Sequence, residues 1–521
     1  MNALLVYPEF PDTFWSFKHA LKFLGKRAAQ PPLGLMTVAA LLPHSWKMRL
    51  IDTNVEQLRD RHLRWADVVL LSGMHIQSDS LLKIVERCHA MGLRTVIGGP
   101  IASSIPPAEL KADHVVIGEA ESLIADLARD LEQGTARSVY QAVERPEMAT
   151  SPLPDLSLIK MNRYSTMTVQ YSRGCPFNCE FCDIIEIYGR RPRTKAVAQV
   201  LAELDQLRAA GWRETVFIVD DNFIGNKSRA KDLLRALVDW RSEHNVTFDF
   251  LTEASLNLAD DPELLQLMKD AGFKSVFLGI ETPDESGLIA SNKLQNTRRS
   301  LLESVAIIQS YGMQVMGGFI LGFDTDKDDI FDRMVEFIQK SGIPIAMVGL
   351  LQAMPGTQLF RRLRREGRIV DAGGGNNTDS RLNYLPNMDA AKLVEGYRSV
   401  LKRIYSCEAY YERVKLYLNR TEQQPGEPSV QSPTWITRDN VRALVNSIIR
   451  QGVFGRHQWS YWKFLASAAT RYRRCFGAAM TLAVMGYHFQ IMTRKMSQAI
   501  DKAIAQAEME AGPPSETEQA L

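Results

Sequence analysis

The chain has 521 residues, 45% of them apolar, which is too long for one core and suggests about three domains of roughly 150 residues each. Its 62 basic and 60 acidic side chains leave a formal charge of +2, so the molecule as a whole gives no electrostatic reason to expect nucleic acid or an acidic partner. Six cysteines without a paired framework indicate a reducing compartment. The first residues lack a basic and apolar leader, which predicts a cytoplasmic domain.

Residues 1–140 alternate short apolar strands with helical stretches. The predicted strands are Ala3–Tyr7, Met48–Asp52, Val68–Ser72, Thr95–Gly98 and Val115–Gly118. Apolar strands separated by helices predict a doubly wound parallel sheet, which binds ligands at the carboxyl ends of its strands. The candidate binding residues at these ends are Ser72, Met74, His75, Gly98, Gly99 and Glu119. The alternative is a flavodoxin-like or other nucleotide-binding domain, although no GxGxxG follows the first strand and no GxxxxGK[ST] is present.

The next two segments are predicted to be a linker and a second α/β domain. Residues 141–165 contain three prolines among polar residues, which is typical of a linker. Residues 166–375 again alternate strand and helix, which predicts a partial six-stranded (βα) barrel with its active site at the carboxyl ends of the strands. The predicted strands are Thr168–Tyr171, Thr215–Val219, Phe248–Leu251, Ser275–Leu278, Gln314–Ile320 and Ile345–Val348.

Cys175, Cys179 and Cys182 follow the first barrel strand in a CxxxCxxC pattern. A 4Fe-4S cluster is normally held by four protein thiolates, so three at this spacing leave one iron open to a small molecule. A structural zinc site would need a fourth Cys or His nearby. The following Cys and His are Cys407 and His244, both far along the chain. The pattern therefore favours a cluster that takes part in chemistry.

The cysteine pattern resembles the signature of the radical S-adenosylmethionine (SAM) enzymes. This resemblance implies that the amino and carboxylate groups of SAM bind the open iron and that Phe181 lies against its adenine. Later strand ends also resemble motifs of this superfamily, at Asp220, Glu253, Glu281, Gly317 and Gly318. There the resemblance implies that carboxylates contact the ammonium group and ribose of SAM, and that the glycines allow backbone contact with methionine and adenine. The alternative for a single carboxylate such as Asp220 is a helix N-cap.

Placed ahead of this motif, residues 1–140 resemble the cobalamin-binding domain of the same superfamily, with matching turns at Gly98-Gly99-Pro100 and Gly118-Glu119. Many such domains have Asp-x-His-x-x-Gly after the first strand, with the histidine as lower ligand to cobalt, but residues 8–15 contain no histidine. In relatives without that motif the loop after the third strand lies under the corrin, which leaves Met74 and His75 as candidates. A hydrogen-bonding or packing role is the alternative for His75.

Residues 376–521 predict a helical domain without a catalytic motif, interrupted by a polar loop at 423–434. Between residues 438 and 474 there are eight Lys or Arg and a single acid. The aromatic residues among them are Trp459, Tyr461, Trp462 and Phe464. The apolar run Phe476–Met492 is shorter than the ~20 residues that a membrane span needs, and His488 and Gln490 interrupt it, so a buried helix is expected. Basic and aromatic residues also suit peripheral contact with an anionic membrane, or nucleic acid.

Over nearly its full length the chain resembles the hopanoid C-2 methylases and related methyltransferases of bacteriochlorophyll side chains, above all at residues 171–195 and 217–226. The resemblance implies three cofactors, a 4Fe-4S cluster, SAM and cobalamin, a one-electron reductant such as flavodoxin or ferredoxin, and no nucleic acid partner. A 5′-deoxyadenosyl radical would remove hydrogen from an unactivated carbon, and methylcobalamin would deliver the methyl group. The apolar and basic C-terminal segment favours a polycyclic lipid, a hopanoid methylated at C-2, and a location in the cytoplasm or on the inner membrane surface.

Three other functions compete with this hypothesis: methylation of a tetrapyrrole side chain, a cobalamin-dependent radical SAM cyclisation without methyl transfer, and a non-catalytic cobalamin sensor. A sensor would not need Cys175, Cys179 and Cys182. A tRNA methylthiotransferase would need three N-terminal cysteines for a second cluster, and this segment has only Cys88. The sequence leaves the cyclase open.

Overall fold

The N-terminal part of the chain forms a six-stranded parallel sheet in the order β2-β1-β3-β4-β5-β6. The computed structural model describes residues 1–511 except 247, 377, 379 and 423–437, so the loop predicted at 423–434 lies outside the described residues. The strands are β1 (Asn2–Tyr7), β2 (Lys47–Asp52), β3 (Val68–Ser72), β4 (Arg94–Gly98), β5 (His114–Ile117) and β6 (Val139–Gln141). The helices are α1 (Lys18–Leu24), α2 (Leu33–Leu41), α3 (Asp60–Leu63), α4 (Ser78–Ala90), α5 (Pro100–Ser104), α6 (Pro107–Leu110) and α7 (Ile124–Gln133).

Both faces of this sheet are covered. In β1, Ala3 and Leu5 belong to one apolar cluster and Leu4 and Val6 to another, because successive side chains of a strand point to opposite faces. The doubly wound fold is therefore confirmed. The sixth strand, β6, was not predicted, because only Tyr140 of its three residues is buried and no apolar pattern marks it.

The second sheet is an open, six-stranded parallel barrel in the order β14-β13-β12-β11-β10-β7. Its strands, with the small hairpin β8–β9, are β7 (Met167–Val169), β8 (Ser172–Arg173), β9 (Arg193–Thr194), β10 (Val216–Ile218), β11 (Phe250–Ala254), β12 (Phe273–Glu281), β13 (Gln314–Leu321) and β14 (Ile345–Leu350). The helices are α8 (Ile184–Ile187), α9 (Val197–Ala209), α10 (Lys227–His244), α11 (Pro262–Asp270), α12 (Glu285–Ala290), α13 (Leu301–Ser310), α14 (Ile330–Ser341) and α15 (Gln358–Arg365). All six predicted strands are present, which confirms the partial barrel.

Residues 14–29 leave the N-terminal domain and bridge the two edges of the open barrel. At the β7 edge, the backbone of Ala28 pairs with Tyr164, just before that strand begins. At the β14 edge, the ring of Phe14 stacks on Tyr405, whose hydroxyl donates to the carbonyl of Ala346 at 2.5 Å. Phe14 and Ala28 therefore belong to the barrel core. The boundary at residue 140 places this segment in the cobalamin-binding domain, which stays a prediction, and its contacts join it to the barrel.

The C-terminal part is helical, as predicted. It contains α16 (Ala390–Ile404), α17 (Cys407–Glu422), α18 (Arg438–Ser447), a π-helix at Ile448–Val453, α19 (Gln458–Thr470) and α20 (Phe476–Ala511). The long helix α20 packs on α16, α17, α18 and α19, and also on α1. By length and composition Arg473–Lys502 would suffice to cross a membrane, but 61% of its most apolar window is buried in the protein. His488, which interrupts the apolar run, is buried and donates to the Phe14 carbonyl at 3.0 Å.

Candidate active site

The three cysteines lie in one loop after β7 and β8, at the carboxyl end of the first barrel strand. The loop is tied down where it begins, because the Cys175 amide donates to the Gly189 carbonyl at 3.2 Å. Gly174 has a positive φ of 95°, and a Cβ there would lie 2.9 Å from the same carbonyl oxygen, so only glycine fits. Later in the loop, the Cys182 amide donates to the Cys179 carbonyl at 3.2 Å. The loop is thus shaped by its own backbone.

Two amide side chains reach the sulfur atoms, one from the loop after β10 and one from a short 3-10 helix after α12. The amide of Asn222 lies 3.6 Å from Cys175 Sγ, and the amide of Gln295 lies 3.6 Å from Cys179 Sγ. Burial raises the pKa of Cys175 and of Cys182 above the usual thiol value. Among the described residues, no three His, Cys, Asp or Glu side chains converge on a single metal ion. In a 4Fe-4S cluster each thiolate binds its own iron, so this donor set fits a cluster.

Asp220 supports the cysteine loop from behind. Its carboxylate is fully buried and accepts hydrogen bonds from the Tyr171 amide at 2.7 Å and from the Ser172 hydroxyl at 2.6 Å. Burial raises its pKa to about 6. Asp220 therefore fixes the turn from β7 into β8, and it is neither a helix N-cap nor part of the cavity wall described below.

Glu253, at the end of β11, presents a carboxylate to that cavity. Burial, together with the neighbouring carboxylates of Asp221 and Asp220, raises its pKa to about 8. Burial and Asp220 likewise raise the pKa of Asp221 to about 7. Lys195 offsets Asp220 and Arg173 offsets Asp221, but among the described residues two acids and no cation act on the pKa of Glu253, which favours a positively charged ligand there. Asp221 directly follows Asp220 but was not among the site residues predicted from the sequence.

Glu281 lies at the end of β12 in a strained backbone conformation with a φ of +70°, next to an irregularity in the strand pairing at Gly279. Its carboxylate is buried and forms an ion pair with Lys293 at 2.7 Å. The Lys293 ammonium also lies 5.9 Å from the ring centre of Phe181, inside the cysteine loop. Burial alone would lower the pKa of Lys293, but the charges of Glu281 and Cys179 raise it. Strain of this kind is common where a binding group is held in place.

Gly317 and Gly318 in β13 leave room for aromatic rings. A Cβ at Gly317 would lie 2.8 Å from the ring of Phe319, and one at Gly318 would lie 2.8 Å from the ring of Phe277. Gly318 belongs to the cavity wall. The two glycines thus allow close approach of Phe319 and Phe277, and their contact with a cofactor stays a prediction.

In the N-terminal domain, the loops after β3 and β4 face the barrel. Gly99 has a φ of +79°, and a Cβ there would overlap the hydroxyl of Ser72, so these two loops touch, with Gly98 at the end of β4 beside them. Met74 is half exposed and lines the cavity. His75 is buried, and its Nε2 donates to the Gly373 carbonyl at 2.9 Å, which leaves Nδ1 without a partner. The contact with Gly373 bears out a hydrogen-bonding role for His75; ligation of cobalt stays a prediction.

Glu119 joins the two domains. Its buried carboxylate pairs with Arg173 at 2.6 Å and with Arg193 at 2.6 Å, and Arg173 also pairs with Glu121 at 2.8 Å. Burial alone would lower the pKa of Arg173, but Glu121 and Glu119 raise it. Because Arg173 is only two residues before Cys175, these ion pairs connect the N-terminal domain directly to the cysteine loop. The carboxylate of Glu119 is paired with two arginines, and its contact with cofactor stays a prediction.

One cavity of about 1110 Å³ connects the carboxyl ends of the barrel strands and the loop after β3 with the C-terminal helices. At the carboxyl ends of the strands it is lined by Met74, His75, Phe181, Glu253 and Glu281. It continues through the barrel to Thr215 and Asp249, which precede β10 and β11. The wall between is mostly apolar and includes Trp15, Phe17, Phe217, Phe277, Met316, Ala443, Leu444, Met480 and Met485. These residues were not predicted from the sequence, because they share no motif and the chain segments that carry them are far apart.

Three families match successive parts of the chain: the B12 binding domain at residues 27–128, the radical SAM superfamily at 169–338, and a domain of unknown function, DUF4070, at 357–502. The chain is 36% identical over 505 residues to the hopanoid C-2 methylase of Rhodopseudomonas palustris, covering 95% of this chain and 94% of that protein. It is 40% identical over 492 residues to an uncharacterized methyltransferase of Synechocystis, covering 94% and 91%.

More distant similarities point in the same direction. Identity is 25% over 396 residues with bacteriochlorophyllide d C-12(1)-methyltransferase of Chlorobaculum tepidum, covering 74% of this chain and 85% of that protein. Among solved structures, the cobalamin-dependent SAM radical enzyme OxsB matches with a TM-score of 0.59 at 14% identity, over 97% of this chain and 81% of that one. The radical SAM methyltransferase TsrM of Kitasatospora setae matches with a TM-score of 0.56 at 15% identity, over 70% and 76%. The two structures share the fold of this chain.

Proposed function

Because this chain belongs to the radical SAM methyltransferases with a B12-binding domain, we propose that it methylates an unactivated carbon of a polycyclic lipid, a hopanoid at C-2. The observation that carries this proposal is the continuous cavity. It joins the loops of the B12-binding domain, the cysteine loop and a long apolar chamber within one space. A methyl carrier, a radical source and a hydrocarbon substrate could all reach each other there.

When bound, the cluster supplies an electron, SAM supplies the radical and the methyl group, and cobalamin carries that methyl group. Cys175, Cys179 and Cys182 would hold the cluster. Glu253 suits the cationic groups of SAM, because burial and the nearby Asp221 and Asp220 raise its pKa, and a bound cation would stabilise its charged form. The loops at Ser72–His75 and Gly98–Gly99 would face the corrin.

The apolar chamber supports a hydrocarbon substrate. Aromatic and aliphatic side chains from the barrel interior and from the bridging segment 14–29 form its wall, including Phe217, Phe277, Met316 and Trp15. Such a wall excludes water and binds fused rings by shape. The relative named hopanoid C-2 methylase aligns with this chain over its C-terminal helices as well as its cofactor domains. This extent favours a substrate of the same class.

The test is to express the chain in a hopanoid-producing strain that has no C-2 methylase of its own, and to analyse lipids and pigments by mass spectrometry. We expect hopanoids with one added methyl group on ring A. The matched control is Cys179→Ala, which should give none. Unmethylated hopanoids together with a methylated tetrapyrrole would move the assignment to the pigment methyltransferases, and a rearranged ring without added methyl would indicate a cyclase.

A further inference from the structure

The surface of α18 and the π-helix carries a row of exposed apolar side chains, which we call the exposed apolar stripe. Val441, Val445, Ile449 and Val453 are spaced four residues apart, so they lie along one helical face. Beyond them stand Phe454, Trp459 and Trp462. Phe454 is 79% exposed and Trp459 is 81% exposed, although both are large aromatic residues that proteins usually bury. A contiguous patch of this kind marks an interaction surface.

Positive charges surround the stripe. The exposed cations on the same helices are Arg442, Arg450, Arg456, Lys463 and Arg471. The single acid between residues 438 and 474 is Asp439. Asp439 shares Lys26 with Glu214, at 3.6 Å and 3.5 Å, so these three side chains leave a single negative charge beside the five exposed cations. Apolar side chains among cations match the surface of an anionic bilayer, whose headgroups attract the cations while its acyl chains accept the apolar residues.

The same helix also forms an edge of the cavity. Ala443 and Leu444 of α18 line the cavity, whereas Val441 and Val445 belong to the stripe. Near this edge lie Thr215 and Asp249, at the amino ends of barrel strands, so the cofactor-facing end of the cavity is the opposite one. A lipid leaving a bilayer beneath the stripe would therefore have only the width of α18 to cross before it reached the apolar chamber.

We propose that the exposed apolar stripe and its surrounding cations dock the protein on an anionic membrane surface, and that substrate enters the cavity beside α18. The docking is inferred from the exposed apolar stripe and the cations around it, whereas the entry route rests on the proposed function. Interfacial aromatic residues favour a bilayer over a second copy of this chain, because the cations around the stripe would face one another across a symmetric dimer.

The docking test is co-sedimentation of the full chain with vesicles of phosphatidylglycerol and phosphatidylcholine, compared with phosphatidylcholine alone. We expect binding to the anionic vesicles that weakens in high salt. The double variant Phe454→Glu/Trp459→Glu should lose about tenfold or more of this binding, since it places two acids in the contact. The matched control is Val143→Glu, which places an acid at a fully exposed valine just after β6, far from the stripe in sequence. This variant should bind like the parent.

Two results would overturn the docking proposal. One is the absence of binding to anionic vesicles. The other is equal binding by the parent and the double variant. A dimer in the parent that the double variant dissolves would assign the stripe to self-association and overturn it as well. The proposed function is judged separately with substrate supplied in detergent micelles, where the double variant should methylate as the parent does. Vesicle binding without methylation would refute the function and leave the docking intact.

Discussion

The two ends of the cavity are built in different ways. At the carboxyl ends of the barrel strands, specific partners hold the polar groups: Asp220 accepts from Tyr171 and Ser172, and Glu281 pairs with Lys293. Towards the amino ends Lys26 pairs with Asp439, but most of the wall consists of apolar side chains that contribute shape and no directional bond. These side chains come from the bridging segment 14–29, the barrel interior, α18 and α20.

This difference separates chemistry from substrate choice. A group held by hydrogen bonds and ion pairs tolerates little exchange, because removal of one partner leaves another buried and unsatisfied. An apolar wall tolerates exchanges that keep its volume. Relatives could therefore share the cofactor end while their apolar ends fit different ring systems. A substitution at one end of the cavity should therefore leave the function of the other end intact.

The largest effect is expected from Cys179→Ala. It removes one of three thiolates that would hold the cluster, so we expect iron content and 5′-deoxyadenosine formation to fall to background while cobalamin still binds. Iron analysis and chromatography of the reaction products measure this. Cys88→Ala is the control, because Cys88 is buried in the N-terminal sheet core, and it should keep its iron. Retained cleavage of SAM by Cys179→Ala would contradict the assigned cluster.

The next effect concerns the ion pairs between the domains. Arg173→Ala leaves Glu119 and Glu121 buried beside the cysteine loop with one cation fewer, and breaking a buried pair costs about 3–5 kcal/mol. We expect the free energy of unfolding to fall by that order in a urea titration. Arg129→Ala is the control, since Arg129 forms an exposed pair with Asp126 and its removal should leave the free energy of unfolding nearly unchanged. Equal losses in the two variants would mean that the ion pairs between the domains add nothing to the free energy of unfolding.

The same contrast explains what the sequence could and could not predict. Cys175, Cys179 and Cys182 are close in sequence, so their spacing alone predicts the cluster, and apolar periodicity predicts both sheets. Asp220 was found by its place after a strand, but its contact with Ser172 depends on the fold, and so its supporting role was missed. The pairing of Glu119 with Arg173 joins residues 54 positions apart. Trp15 lines the same cavity as α18 and α20, and no sequence pattern marks this, because tertiary packing alone brings those segments together.

A smaller effect is expected at the apolar end. Ala443→Trp would fill the cavity beside α18, and we expect kcat/KM for the polycyclic substrate to fall about tenfold to a hundredfold, as for other steric blocks of a hydrophobic pocket. Iron content and SAM cleavage without substrate should stay at the level of the parent. Ala469→Trp, on the exposed surface of α19, is the matched control. Loss of iron in Ala443→Trp would show that the two ends are not independent.

The smallest effect concerns Glu253 in the cofactor-free protein. Its pKa is raised to about 8, so between pH 4.5 and 8 the folded protein holds a proton that the unfolded chain has released, and stability falls as pH rises. Glu253→Gln removes this penalty. Because the carboxylate lines a cavity that water can enter, we expect a gain of only about 1–2 kcal/mol at pH 8 relative to pH 5 in urea unfolding. Glu285→Gln, on the exposed first turn of α12, is the control and should change the free energy of unfolding equally at pH 5 and pH 8. A Glu253→Gln gain that is equal at the two pH values would mean that the Glu253 carboxylate is already charged without its ligand. Cations of the protein would then stabilise the carboxylates at the cofactor end, and SAM would not be needed to neutralise them.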